Sequence, residues 1–255
     1  MPSHAQVELI RVDDPDAPED QYLLAQGHMA ERRLGSLALL YLHGWRRPSN
    51  DRAARRTAEV GWDSYVVNFR GHNGSDGDIR KVSRADALLD ALSAYDYIEE
   101  QQPPGTRIGL VTHSFSAYIG ILLTQHRDVA CISMRAGANY ADKGFDRPQY
   151  GKGHVDPAVM RFREQKLRWN ENKALTAIHE YGGPIQIIES GQDTYVPHQT
   201  TQNYLDAASD PSKVEYHLKP EWEHLLVGND RCLTEYEDIL IGWLRNSVEP
   251  ALRLQ

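Results

Sequence analysis

The chain has 255 residues, enough for one large α/β domain with a substantial core or for two small ones, and length alone does not choose between them. Asp and Glu outnumber Lys and Arg by 36 to 28, a formal charge of −8 that favours solubility and excludes a general nucleic-acid surface. Two cysteines, Cys131 and Cys232, make neither a disulfide framework nor a metal cluster and read as buried thiols.

Residues 6–12 alternate as an edge strand does, an acidic, proline-broken stretch follows at 13–20, and 22–34 is expected to hold the return strand of a hairpin. Leu37-Ala38-Leu39-Leu40-Tyr41-Leu42 is a continuous apolar run, the pattern of a strand covered on both faces, and it ends at His43-Gly44-Trp45. A helix over 52–60 and a second buried strand over 64–69 imply a parallel pair joined by a right-handed crossover. The loop at 70–77 carries three glycines suited to positive φ, but it has neither a P-loop Lys nor dinucleotide-binding spacing. A helix over 85–100, with Leu88, Leu92, Tyr95 and Ile98 along one side, stops at Pro103-Pro104-Gly105. A strand ending near Val111, a helix after Ser114 and a strand over 129–134 complete four βα units.

From 137 to 183 the rhythm breaks: 147–153 reads as loop and 157–177 as helix, which is too long for an ordinary αβ connection. The expected organisation is a core of residues 1–137 and 183–255 with a small cap inserted at 138–182. Basic residues outnumber acidic ones in this insertion. Arg161, Arg163, Lys166 and Arg168 read as a solvated helix face, with an anion-attracting lid as the other reading. A strand over 184–189, a helix over 198–208, a last strand over 214–218 and a closing helix over 236–244 finish the chain. No basic-then-apolar leader and no apolar run of about 18 residues occurs, so the expectation is a cytoplasmic protein without stable membrane insertion.

Candidate chemistry gathers at strand ends. Ser114 lies between an apolar strand and an apolar helix, at the apex of a turn that lifts its Oγ clear of the sheet near the positive end of the helix. The strict pattern for such a turn is G-x-S-x-G, and the outer positions here are Thr112 and Ser116. A serine hydroxyl needs a general base, and the base needs an acceptor on its far nitrogen. Asp193 follows the strand at 184–189 and His224 the strand at 214–218, so a parallel sheet would bring all three to one carboxyl edge. Glu189, Glu221 and Glu223 are rivals to Asp193, while His43 and His113 read as structural hydrogen-bonding groups. His72, His154, His198 and His217 do not fall into metal-ligand spacing.

With these residues in place, the chain over 37–244 resembles the α/β-hydrolase family, in particular its compact serine esterase, acyl-glycerol lipase and serine-aminopeptidase-like branch. The resemblance is carried by His43-Gly44, Arg70-Gly71-His72-Asn73-Gly74-Ser75, His113-Ser114-Phe115, Gly191-Gln192-Asp193-Thr194-Tyr195-Val196-Pro197 and His224. It implies a mostly parallel central sheet flanked by helices, a Ser114, Asp193 and His224 triad, and an oxyanion hole of the Trp45 and Phe115 main-chain N–H groups. The expected activity is hydrolysis of a small-molecule carboxylic ester through an acyl-enzyme, with no cofactor and no metal. An amidase or peptidase with the same triad, or a non-catalytic ligand-binding protein on this fold, remain the alternatives. The inner face of the cap, with Tyr140, Met160, Leu167 and Trp169, is expected to shape the acyl pocket. The oligomeric state and the natural substrate are not legible in the sequence.

Overall fold

Among the described residues eight strands form: β1 (Ala5–Arg11), β2 (Tyr22–His28), β3 (Leu37–Leu42), β4 (Ser64–Val67), β5 (Arg107–His113), β6 (Val129–Arg135), β7 (Ile185–Ser190) and β8 (Val214–Lys219). In the computed structural model, which describes residues 5–17, 19–46, 51–149 and 156–253, they lie in one sheet in the order β1-β2-β4-β3-β5-β6-β7-β8. The residues 150–153 read as loop, and His154, lie outside the described residues. β1 pairs antiparallel with β2 and β2 with β4, whereas β4, β3, β5, β6, β7 and β8 run parallel. The expected α/β-hydrolase sheet is therefore present, and its parallel strands direct six carboxyl ends to one edge.

The helices are α1 (Asp51–Val60), α2 (Arg84–Gln101), α3 (Phe115–Leu123), α4 (Pro157–Arg163), α5 (Lys173–Glu180), α6 (His198–Ala207), α7 (Asp230–Trp243) and α8 (Glu249–Leu252). Every residue of β3 is buried because successive side chains enter two separate cores. Ala38, Leu40 and Leu42 join the core under α2, α3, α5 and α6, whereas Leu37, Leu39 and Tyr41 join the core under α1 and α7. At about 1.5–3 kcal/mol for each fully buried large apolar side chain, this double burial makes the strand's position costly to change. Ser83 and Asp86 close a reciprocal cap at the start of α2. In the 70–77 loop, Gly71, Gly74 and Gly77 all take positive φ.

The helix expected over 157–177 is broken. α4 ends at Arg163, a single turn covers Trp169–Glu171, and α5 restarts at Lys173. Asn172 causes the restart: its side chain accepts from the Leu175 amide as an N-cap and donates to the Tyr140 carbonyl at 2.9 Å. Ala174, Leu175, Ala177 and Ile178 of α5 enter the same core as α3 and α6, which makes α5 the crossover helix between β6 and β7. α5 thus lies within the stretch 138–182 expected as a cap, and it packs on the sheet core. The closing helix begins earlier than expected, at Asp230, capped by Asn229.

Candidate active site

Ser114 sits between the last residue of β5 and the first of α3 with φ 54° and ψ −113°. A residue with a Cβ pays about 1–3 kcal/mol to hold such a conformation, so the surroundings must over-determine it. They do so through the main chain: the Ser114 amide donates to the Arg135 carbonyl at 3.0 Å, and the Ser114 carbonyl accepts from Ala138 at 3.0 Å. The two positions that depart from G-x-S-x-G are accommodated locally. Thr112 Oγ1 donates to the Ser133 carbonyl at 2.9 Å, and its methyl points at Gly120, where an added Cβ would lie 2.9 Å from it. The close approach of helix to strand is supplied at position 120 instead. Ser116 Oγ donates to the Leu42 carbonyl at 2.7 Å and accepts from the His113 amide at 2.9 Å, tying the turn to β3.

The candidate base and its carboxylate partner, His224 and Asp193, arrive from the ends of β8 and β7. His224 Nε2 lies 2.9 Å from Ser114 Oγ, and His224 Nδ1 lies 2.6 Å from Asp193 Oδ2. With a carboxylate on Nδ1, the tautomer with hydrogen on Nδ1 leaves Nε2 free to accept the serine proton. Asp193 is held through its other oxygen, which accepts from the amides of Tyr195 at 2.7 Å and Val196 at 2.9 Å. The Tyr195 ring stacks on His224 with centroids 4.7 Å apart, and the side chains of His224 and Asp193 are both buried. The rival carboxylates are engaged elsewhere. Glu189 bonds His198 and Tyr216, while Glu221 and Glu223 are exposed.

The loop expected to supply an oxyanion donor lies against the elbow. A Cβ on Gly44 would come within 3.1 Å of His113 Nδ1 and 3.4 Å of Ser114 Cβ, so the backbone just before Trp45 lies close against Ser114. The Phe115 amide is the first of α3 and has no partner within the helix, which aims the positive helix end at the same place. His43 underpins this loop: its Nδ1–H donates to the Gly44 carbonyl at 2.7 Å, and its Nε2 accepts from the Phe69 amide at 3.1 Å. Burial, with some help from neighbouring His72, holds its pKa down at about 3. The Trp45, Phe115 and His72 rings pack around this loop, and Tyr140 packs edge-on against Phe115 at 5.8 Å.

Of the residues expected in the pocket, Tyr140 is brought next to Phe115, and Met160 is half-buried on α4. Leu167 lies at the margin of the core, with its amide on Asn203 of α6. Trp169 lies elsewhere: it stacks on His179 at 4.1 Å, and His179 in turn bonds the Ala207 carbonyl at the end of α6. Both helices run back from the carboxyl edge there, so Trp169 is not brought to Ser114. Arg163 also differs from expectation. Arg161, Lys166 and Arg168 are exposed, but Arg163 is buried, donating to the carbonyls of Asn139 at 3.2 Å and Tyr195 at 2.7 Å and facing the Tyr140 ring at 4.8 Å. It fastens α4 to the acid-bearing loop. Tyr195, which the sequence marks only as part of the motif around Asp193, and Arg135, which it does not single out, are further residues in contact with His224. Arg135 carried a usable signal, a charged residue at the carboxyl end of an apolar strand.

An elbow serine in relay with a histidine and an aspartate, in the chain order Ser, Asp, His and on this strand order, defines the class of α/β hydrolases. The model of the alpha/beta hydrolase family matches residues 39–252, and the chain belongs to that family. Solved structures with the same fold include an esterase of Pyrococcus furiosus, Pf2001, at 15% identity, TM-score 0.69 and coverage of 95% of this chain and 90% of that one. Est1E of Butyrivibrio proteoclasticus, solved with ferulic acid bound, is 18% identical with TM-score 0.66, covering 92% of this chain and 97% of its own. A serine hydrolase homologue from Coxiella burnetii is 18% identical with TM-score 0.64, covering 93% and 97%. No curated protein matches the chain. No helix among the described residues is long and apolar enough to cross a membrane.

Proposed function

We propose that the chain is a serine hydrolase that cleaves small-molecule carboxylic esters through an acyl-enzyme. The observation that carries this reading is the continuous relay from Ser114 Oγ to His224 at 2.9 Å and on to Asp193 at 2.6 Å. His224 Nε2 takes the Ser114 proton as Oγ attacks the ester carbonyl, and Asp193 steadies the imidazolium that forms. The Trp45 and Phe115 amides receive the tetrahedral oxyanion, a charge that the ground-state ester does not yet carry. Collapse expels the alkoxide, which leaves with the proton from His224. Water deprotonated by the same histidine then cleaves the acyl-serine and restores the enzyme.

Tyr140, through its contact with Phe115, is the side chain of the inserted segment best supported as a wall of the acyl pocket. The test of function is p-nitrophenyl ester turnover together with labelling by a fluorophosphonate probe, in wild type and Ser114→Ala. Turnover and labelling that both disappear in a folded Ser114→Ala variant support the reading; unchanged turnover overturns it. A matched amide series separates ester from amide cleavage, and a graded acyl series on Tyr140→Ala tests the pocket wall through a change in the ratio of kcat/KM values.

A further inference from the structure

We propose that Arg135 is a positioning residue for the general base, holding the nucleophile with its main chain and the backbone of His224 with its guanidinium. The proposal rests on the serine-hydrolase reading of the site. Its starting point is register. Arg135 and His113 are direct partners in the parallel pairing of β5 and β6, and they are the last residues of their strands. Their side chains converge on one atom: Arg135 Nη1 donates to the His224 carbonyl at 3.0 Å, and His113 Nε2 lies 3.3 Å from the same oxygen. The Arg135 carbonyl, for its part, accepts the Ser114 amide at 3.0 Å. One residue therefore touches the main chain of both reacting partners, which lie 110 positions apart in sequence.

A buried guanidinium is an expensive way to hold a carbonyl. Arg135 is 6% exposed, and among the described residues no carboxylate forms an ion pair with it. Its guanidinium faces the Tyr236 ring of α7 at 5.7 Å. Burial pulls its pKa down to about 10, with Tyr236 and Asp193 acting in the opposite direction, so it remains a cation at neutral pH. The groups facing His224 are then Asp193 from the β7–α6 loop, the stacked Tyr195, His113 from β5 and Arg135 from β6, with Glu223 beside it in the same open cleft. Held from behind in this way, the His224 main chain keeps the imidazole in place between Ser114 and Asp193.

The discriminating experiment compares Arg135→Met, Arg135→Gln and Arg135→Lys with wild type in p-nitrophenyl ester hydrolysis, and reads the NMR signal of the His224 Nδ1 proton, which lies on Asp193, in the resting protein. Loss of the donor in Arg135→Met should lower kcat about 10-fold with KM little changed and displace or broaden the Nδ1 proton signal, whereas Arg135→Lys, which keeps a cationic donor, recovers most of both. A group that merely filled space would be replaced by Met with no such split and would not be rescued by Lys. The NMR signal is read without turnover, so it separates failure of this proposal from failure of the hydrolase reading. A kcat and an Nδ1 proton signal both unchanged in Arg135→Met overturn the proposal. If that variant does not fold, the same null result in Arg135→Gln overturns it, and absence of any ester turnover in wild type counts against the hydrolase reading alone.

Discussion

Acid should loosen this protein through His43, and the effect can be sized from its surroundings. The ring is buried, its Nδ1–H is committed to the Gly44 carbonyl, and its Nε2 is already an acceptor for the Phe69 amide. A proton on Nε2 would face that N–H and remove the acceptor, in keeping with a pKa lowered by burial from 6.5 to about 3. Because the folded value lies below the unfolded one, the contribution is fully present above pH 6.5 and is lost as pH falls toward 3. At about 1.4 kcal/mol per pH unit, the loss is about 2 kcal/mol at pH 5 and approaches about 5 kcal/mol below pH 3. Urea unfolding of wild type and His43→Gln at pH 7.5 and pH 5 isolates this term, since other titrating groups are common to both. The fall in stability between the two conditions should be smaller in His43→Gln by about 2 kcal/mol. Equal falls in both proteins would refute the argument that this ring must stay neutral to hold the loop before Trp45.

Asp193→Asn should preserve the fold but reduce kcat for esters about 10⁴-fold, because the amide no longer selects the Nδ1–H tautomer of His224; steady-state kinetics checks this. Arg163→Met removes two charge-assisted donors from the carbonyls of Asn139 and Tyr195 and should cost about 3 kcal/mol in urea unfolding, with a fall in kcat/KM because the Tyr195 amide orients Asp193. Gly120→Ala places a methyl 2.9 Å from the Thr112 methyl and should destabilise by about 1–3 kcal/mol, more than the helix propensity it gains. Adding Thr112→Ser, which keeps the hydroxyl and deletes the methyl, should recover most of that loss. Additive effects in the thermodynamic cycle would contradict the close approach.

The buried strands, the βα rhythm and the positions of Ser114, Asp193 and His224 were legible in the sequence because each rests on short-range chemistry. An uninterrupted apolar run must be covered on both faces, as β3 is, and a polar residue that follows such a run falls at a sheet edge. Parallel order then made the three candidates neighbours in principle. What the sequence could not rank was how side chains from distant segments share space. Thr112 departs from the expected glycine, but its methyl is received by Gly120, a compensation visible only once α3 lies against β5 and β6. Arg163 and Arg168 share a stretch that reads as solvated surface. Only the path of the chain after β6 buries the first against Tyr195 and leaves the second in water. Asn172 interrupts an otherwise helical pattern because Tyr140 supplies an acceptor from 32 residues away. Arg135 becomes part of the site through its register with His113 and the return of β8, which set its guanidinium against the His224 carbonyl. Local periodicity specifies which faces of the chain are buried, whereas the partner of each polar group depends on crossovers and strand register, properties of the assembled sheet rather than of any one segment.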